Sequence, residues 1–141
     1  MKHARQDRAT WADELDGGLV EMGCDLAPGQ RDALLDYLEL LLRWNRVYNL
    51  TAVRDASVMV RRHLLDSLSI LPWVDAGPVL DIGTGAGLPG IPLAIAQPQR
   101  AFSLLDTNGK KTRFVQQAAT DLKLDNVEVL RSRVEALERP R

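Results

Sequence analysis

The chain has 141 residues, 45% of them hydrophobic and 26% charged, with a formal net charge of −1. That length and balance fit one soluble globular core and exclude a low-complexity or disordered chain, and the near-neutral charge confines any nucleic-acid contact to a local patch. The single cysteine, Cys24, excludes an internal disulfide and a multi-cysteine metal site and suits a reducing cytoplasm. No apolar run approaches the roughly 20 residues of a membrane span, and the polar start MKHARQDRATW reads as no secretory signal.

In chain order, residues 10–22 suggest a short helix with Thr10 as a plausible cap, although Gly17-Gly18 weakens it. "DLAPGQ" is a loop. Residues 29–44 predict a stronger helix, because Leu34, Leu35, Leu38, Leu41 and Leu42 form one broad apolar face. "NRVYNLTAVRD" breaks that pattern. A third helix is predicted over about 56–71, capped by Asp55 or Ser57 and stopped by Pro72. After "WVDAGP" the character changes. "PVLDI" reads as a strand ending at glycines, followed by a helix to about residue 97 with Pro89 in its first turn. "AFSLLD" (101–106) is a second strand, 108–123 a second helix with Phe114, Val115, Ala118, Ala119 and Leu122 on one side, and "NVEVLR" (126–131) a third strand. Helices followed by β-α-β-α-β imply a parallel sheet with right-handed crossovers. The predicted domains are a helical extension, 1–75, and the first half of an α/β nucleotide-binding fold, 76–141.

The chemistry concentrates in "VLDIGTGAGLPGIPLA" (79–94), which supports two glycine registers. Gly85, Gly87 and Gly90 fit the dinucleotide pattern G-x-G-x-x-G. Asp81, Gly83, Gly85 and Gly87 fit the acid-x-G-x-G-x-G pattern of S-adenosylmethionine (SAM) enzymes. A strand turning directly into a helix needs residues that tolerate positive φ, and the helix N-terminus offers free N–H groups to an anion. Asp106, about twenty residues beyond, stands where an acid accepts ribose hydroxyls in either ligand class. Asp81 favours SAM, because a carboxylate there suits the methionine ammonium and would repel the phosphates of a dinucleotide.

A second constellation is basic. Arg43, Arg46, Arg54, Arg61, Arg62 and His63 lie close in sequence with Trp44 and Tyr48 between them, and Lys110, Lys111 and Arg113 open the second α/β helix. Such groups can track phosphates and stack on unpaired bases. They also fit a solvated face with the aromatics in the core, and residue types alone do not choose. His63 fits a base, an RNA contact or a structural histidine. Cys24 has no partner base, and no nucleophile triad, metal-ligand spacing or carboxylate pair stands out.

"RWNRVYNLTAVRD", "RHLLDSL", "LDIGTGAGLPGIPLA", "LLDTNGKKTRFV" and "SRVEAL", in this order, resemble the ribosomal RNA small-subunit methyltransferase G family (glucose-inhibited division protein B) from about residue 28 onward. The resemblance implies a Rossmann-like SAM-dependent methyltransferase fold preceded by a helical extension, and a cytoplasmic, metal-free enzyme, monomeric at full length. It implies transfer of the SAM methyl to ring nitrogen 7 of a guanosine in the 530 loop of 16S rRNA (guanosine 527 in the family), on RNA or the small ribosomal subunit. It implies SAM contacts at Gly83, Leu88, Val134 and Glu135, beside Asp81, Gly85, Gly87 and Asp106. Arg61, His63, Lys110, Lys111 and Arg113 become candidates for RNA contact, and Asn49, Asp66 and Ser67 match family motifs as RNA-facing or structural positions. Ring nitrogen 7 carries a lone pair and no proton, so no general base is expected and positioning dominates.

The family continues past "EALERPR" with a further strand bearing a serine-arginine-alanine segment. The expectation is therefore an N-terminal portion of a longer enzyme, inactive alone and binding SAM weakly. Two alternatives remain at this point. One is a nicotinamide or flavin oxidoreductase fragment, resting on G-x-G-x-x-G. The other is a non-catalytic RNA-binding fragment.

Overall fold

The computed structural model describes residues 2–132. The helical segment comprises α1 (Lys2–Met22), α2 (Pro28–Tyr48) and a third run made of α3 (Ala56–Met59), a π-helical turn (Val60–Leu65) and α4 (Asp66–Ser69), closed by a short 3-10 turn at Leu71–Trp73. Then come β1 (Val79–Ile82), α5 (Gly90–Ala96), β2 (Phe102–Asp106), α6 (Gly109–Asp121) and β3 (Val127–Arg131). The three strands are parallel in the order β1-β2-β3. This is the predicted Rossmann-like half sheet, reached through two helical crossovers.

Three local features depart from the sequence reading. α1 runs straight through Gly17-Gly18. A Cβ on Gly18 would collide with the Leu65 side chain, so the glycine is a contact point between helices and not a break. The helix expected over 56–71 is interrupted by the π turn, where the Asp66 N–H donates to Arg61 O, one residue beyond α-helical spacing. Pro89 sits just before α5, after a cis Leu88–Pro89 bond. It carries no side-chain acceptor, and the Gly90 N–H that opens the helix is taken by Asp81 of β1.

One core joins the helices to the sheet. It contains Leu15 and Leu19 of α1, Leu34, Leu38 and Leu41 of α2, Met59 and Leu64, then Ile91, Phe102, Leu104 and Phe114. α2 lies across α5 and α6. At its start, the Ala27 N–H donates to Gln30 Oε1 at 2.8 Å, and Gln30 Nε2 donates to the carbonyls of Ile95 and Ala96, both at 3.1 Å. At its other end Trp44 packs on Phe114 with ring centroids 5.5 Å apart. α2 therefore runs from the closing turn of α5 towards the opening turn of α6, the end of the sheet where β1 and β2 finish. The strand pleat separates two faces. Phe102 and Leu104 are buried beneath α5 and α6, whereas Leu80 and Ile82 on the other face of β1 are 48% and 55% exposed. Among the described residues β1 pairs with β2 alone.

Candidate functional site

The turn from β1 to α5 is built on glycines. Gly83, Gly85 and Gly87 have φ of 71°, 59° and 93°, so the acid-x-G-x-G-x-G register marks the left-handed positions of the loop. Gly90, the last glycine of the other register, serves packing: a Cβ there would strike Leu104 and lie 2.9 Å from Asp81 Oδ2. A Cβ on Gly83 or Gly85 would meet nothing within 4 Å, which leaves open space against the loop backbone.

Two carboxylates organise the loop. Asp81 Oδ2 accepts from Thr84 Oγ1 at 2.7 Å and from the Gly90 N–H at 3.1 Å. Asp106, at the end of β2, accepts from the Gly85 N–H at 2.8 Å through Oδ2 and from the Asn108 N–H at 2.8 Å through Oδ1. Burial pushes the Asp81 pKa up, its two hydrogen bonds pull it down, and the Asp106 charge pushes it up again; the net direction is upward. The Gly87 and Leu88 N–H groups both donate to Thr84 O at 3.0 Å. Gly83, Asp81, Gly85, Gly87 and Asp106 are thus brought together at one end of the sheet, with Leu88 half-buried behind them. Val134 and Glu135 lie outside the described residues.

The basic candidates divide. Lys110, at the start of α6, holds its ammonium 6.0 Å from the Tyr48 ring, which in turn packs on Trp44 at 5.4 Å. Tyr48 is 38% exposed, while Trp44 is half-buried against Phe114. The next residue, Asn49, ends α2 in the left-handed region with φ 51° and accepts from the Arg54 guanidinium. Arg61 is exposed on the π turn, and Lys111 is half-buried. Arg113 is exposed further along α6, lining a shallow depression with Gln116 and Arg131. His63 is half-buried, its Nε2 3.1 Å from Thr51 Oγ1, and burial lowers its pKa below 6.5. Ser67 is buried and donates to His63 O at 2.5 Å, while Asp66 is exposed.

Four contributors escaped the sequence reading. Tyr37, on the leucine face of α2, is fully buried and donates its hydroxyl to Ala86 O in the glycine loop at 2.7 Å. Thr84 ties the loop to Asp81. Asn45 accepts from the Thr51 N–H at 3.0 Å and donates to Val53 O at 3.3 Å, ordering the segment after α2. Thr51 connects that segment to His63. A polar residue inside a leucine face was the one visible signal for Tyr37 and Asn45.

A backbone loop of this shape beside a strand-end carboxylate can hold a nucleoside-bearing ligand. The family model for rRNA small subunit methyltransferase G matches residues 30–141, taking in the loop, Asp106 and nearly all of α2. The chain belongs to that family. Among its relatives, ribosomal RNA small subunit methyltransferase G of Marinobacter nauticus is 58% identical over 125 residues, 89% of this chain and 58% of the relative. The proteins of the same name from Pseudomonas syringae pv. syringae and Pseudomonas aeruginosa PAO1 are 54% and 57% identical, over 90% and 89% of this chain and 59% of each relative. The chain thus spans about 59% of the length of these curated relatives. The half sheet and its preceding helices are the partial Rossmann-like methyltransferase fold expected of the family. No described helix is long and apolar enough to cross a membrane, and no three described His, Cys, Asp or Glu residues group as metal ligands.

Proposed function

We propose that this chain supplies the cofactor loop and the RNA-facing helices of an rRNA methyltransferase. The reaction is transfer of the SAM methyl group to ring nitrogen 7 of a guanosine in the 530 loop of 16S rRNA, on RNA or the small subunit, by a cytoplasmic monomer. The observation that carries the reading is the family match over residues 30–141, which takes in the glycine loop, Asp106 and the basic-aromatic strip together. In this reading residues 1–75 are a helical extension and 76–141 the first half of the cofactor-binding domain.

SAM, when bound, supplies an electrophilic methyl group on a sulfonium sulfur. The open space over Gly83 and Gly85, the exposed strand end and the Asp106 carboxylate fit such a ligand. Asp106 holds the ribose hydroxyls while its bond to the Gly85 N–H keeps loop and acid in register. Gly83, Gly87 and Leu88 give the cofactor its backbone wall, Asp81 fixes the loop and places negative charge near an ammonium, and Val134 and Glu135 flank the adenine. Tyr48, Lys110, Lys111, Arg61 and His63 meet the RNA, with Arg113 extending the charge along α6. The chain needs no general base, because the attacking nitrogen bears no proton; its residues align the reactants and exclude water.

A chimera tests this reading: residues 30–132 of this chain replace the segment of the Marinobacter nauticus relative that aligns with them. Methylation of 16S rRNA with labelled SAM, naked and in assembled subunits, followed by mapping of the modified base, is expected to give one site in the 530 loop at nitrogen 7. No transfer, or transfer elsewhere, overturns the reading. Residues 1–141 alone are expected to bind SAM weakly at most. Micromolar binding by calorimetry would refute the assignment of a half-site.

A further inference from the structure

The glycine loop is tied to its own α/β segment by Thr84, Asp81 and Asp106. Among the described residues, one hydrogen bond reaches it from the helical segment: the Tyr37 hydroxyl donates to Ala86 O at 2.7 Å. Ala86 is 5% exposed and lies between Gly85 and Gly87, both at positive φ. Flanked by glycines, its carbonyl has little steric guidance. The Ala86 carbonyl and the Gly87 N–H share one rigid peptide plane. If the carbonyl turns, the Gly87 N–H turns with it and leaves Thr84 O, its partner at 3.0 Å.

We propose that Tyr37 is a positioning residue for the cofactor loop: its hydroxyl pins the Ala86–Gly87 peptide plane and so sets the loop's shape from the helical segment. The ring is fully buried against Phe114, with centroids 6.2 Å apart, so the hydroxyl is held on target. Burial and the Asp81 charge both raise the phenol pKa, so Tyr37 stays a donor throughout the working pH range. Removing the hydroxyl leaves a buried carbonyl that must turn towards solvent or stay unpaired. The importance of this bond for SAM rests on the function proposed above; its hold on the loop does not.

The test uses the 141-residue chain and Tyr37→Phe, which keeps the ring. By NMR hydrogen exchange, the Gly87 amide is expected to exchange about tenfold faster in the variant, the size of one net hydrogen bond. Leu38 and Leu41 of α2 should change only as much as global stability measured in urea. A Gly87 rate that moves only in step with α2, or not at all, overturns the proposal. Incorporation of 3-fluorotyrosine provides a second arm that needs no weakened variant. A more acidic phenol bonds more tightly and should slow Gly87 exchange; an unchanged rate overturns the proposal. In the chimera, Tyr37→Phe should raise KM for SAM severalfold with kcat and KM for rRNA unchanged, and an unmoved KM for SAM denies the cofactor role. A parent chimera without methyl transfer sinks the functional reading instead, and the exchange result still decides Tyr37.

Discussion

The glycine loop and the basic strip lie at the same end of the sheet, bridged by α2, yet they are built in opposite ways. In the loop, Asp81, Thr84, Asp106 and Tyr37 fix backbone groups from three sides with bonds of 2.7–3.1 Å. In the strip, Tyr48, Lys110, Arg54 and Arg61 are exposed; Lys110 meets Tyr48 through a cation–π contact, and Arg54 is held by a single side-chain bond to Asn49. The loop's shape is set by bonds from within the chain. The strip offers charge and one aromatic face that a flexible partner can order. The first arrangement suits a small cofactor whose reacting atom must be placed within a fraction of an ångström, and the second a polyanion met mainly through its phosphates.

The sharpest way to break the rigid side is Gly90→Val. Leu104 is fully buried and Asp81 is held by Thr84, so neither yields to a new side chain. Destabilisation of about 3 kcal/mol is expected from urea unfolding, the upper end of ordinary overpacking. Asp106→Ala comes next. It removes the acceptor of the Gly85 and Asn108 N–H groups and the proposed ribose contact, so KM for SAM in the chimera should rise about 100-fold, as for lost hydrogen bonds to a charged group. A much smaller change would detach Asp106 from the ligand and leave it a loop support.

The order of elements was legible because apolar periodicity and glycine punctuation are local properties. The loop and Asp106 were legible because only certain residues fit positive φ or a strand-end acceptor. Gly17-Gly18 misled, since a helix tolerates glycine when a neighbour such as Leu65 needs the space. The π turn was hidden because Val60, Leu64 and Leu68 keep helical spacing across it. Tyr37 stood out as a polar residue in a leucine face, but its partner was hidden: Ala86 stands 49 residues away. Its role arises from how α2 crosses the sheet, which no local pattern encodes. The sequence also left Trp44 and Tyr48 undecided as a pair, and the structure separates them, one against Phe114 and the other beside Lys110.

The adaptable side should fail more gently. Tyr48→Ala is expected to weaken binding of a single-stranded 530-loop RNA by about 1–2 kcal/mol in the chimera, the value of one stacked base, with little dependence on salt. Reversing Lys110 and Lys111 to Glu should instead change the salt dependence. The slope of log affinity against log salt should flatten by about 1.4, two phosphate contacts on a single strand. If Tyr48→Ala flattens the slope and the lysine reversals do not, the division of labour in the strip is inverted.

The smallest effect lies at His63, on the π turn. Burial is the main cause of its lowered pKa, Arg62 adds to it, and the backbone bond to Arg62 and the Asp66 charge oppose it. The folded state therefore prefers neutral imidazole, and between the folded pKa and the ordinary value of 6.5 the unfolded chain binds more protons. Stability from this group is complete above 6.5 and is lost as pH falls through the folded pKa. Urea unfolding at pH 7.5 and pH 5.5 should show that loss, and His63→Gln, which can keep a hydrogen bond to Thr51 without titrating, should remove this component. A His63→Gln variant with the full wild-type pH dependence would assign the loss to other groups and leave the Thr51 contact as plain packing.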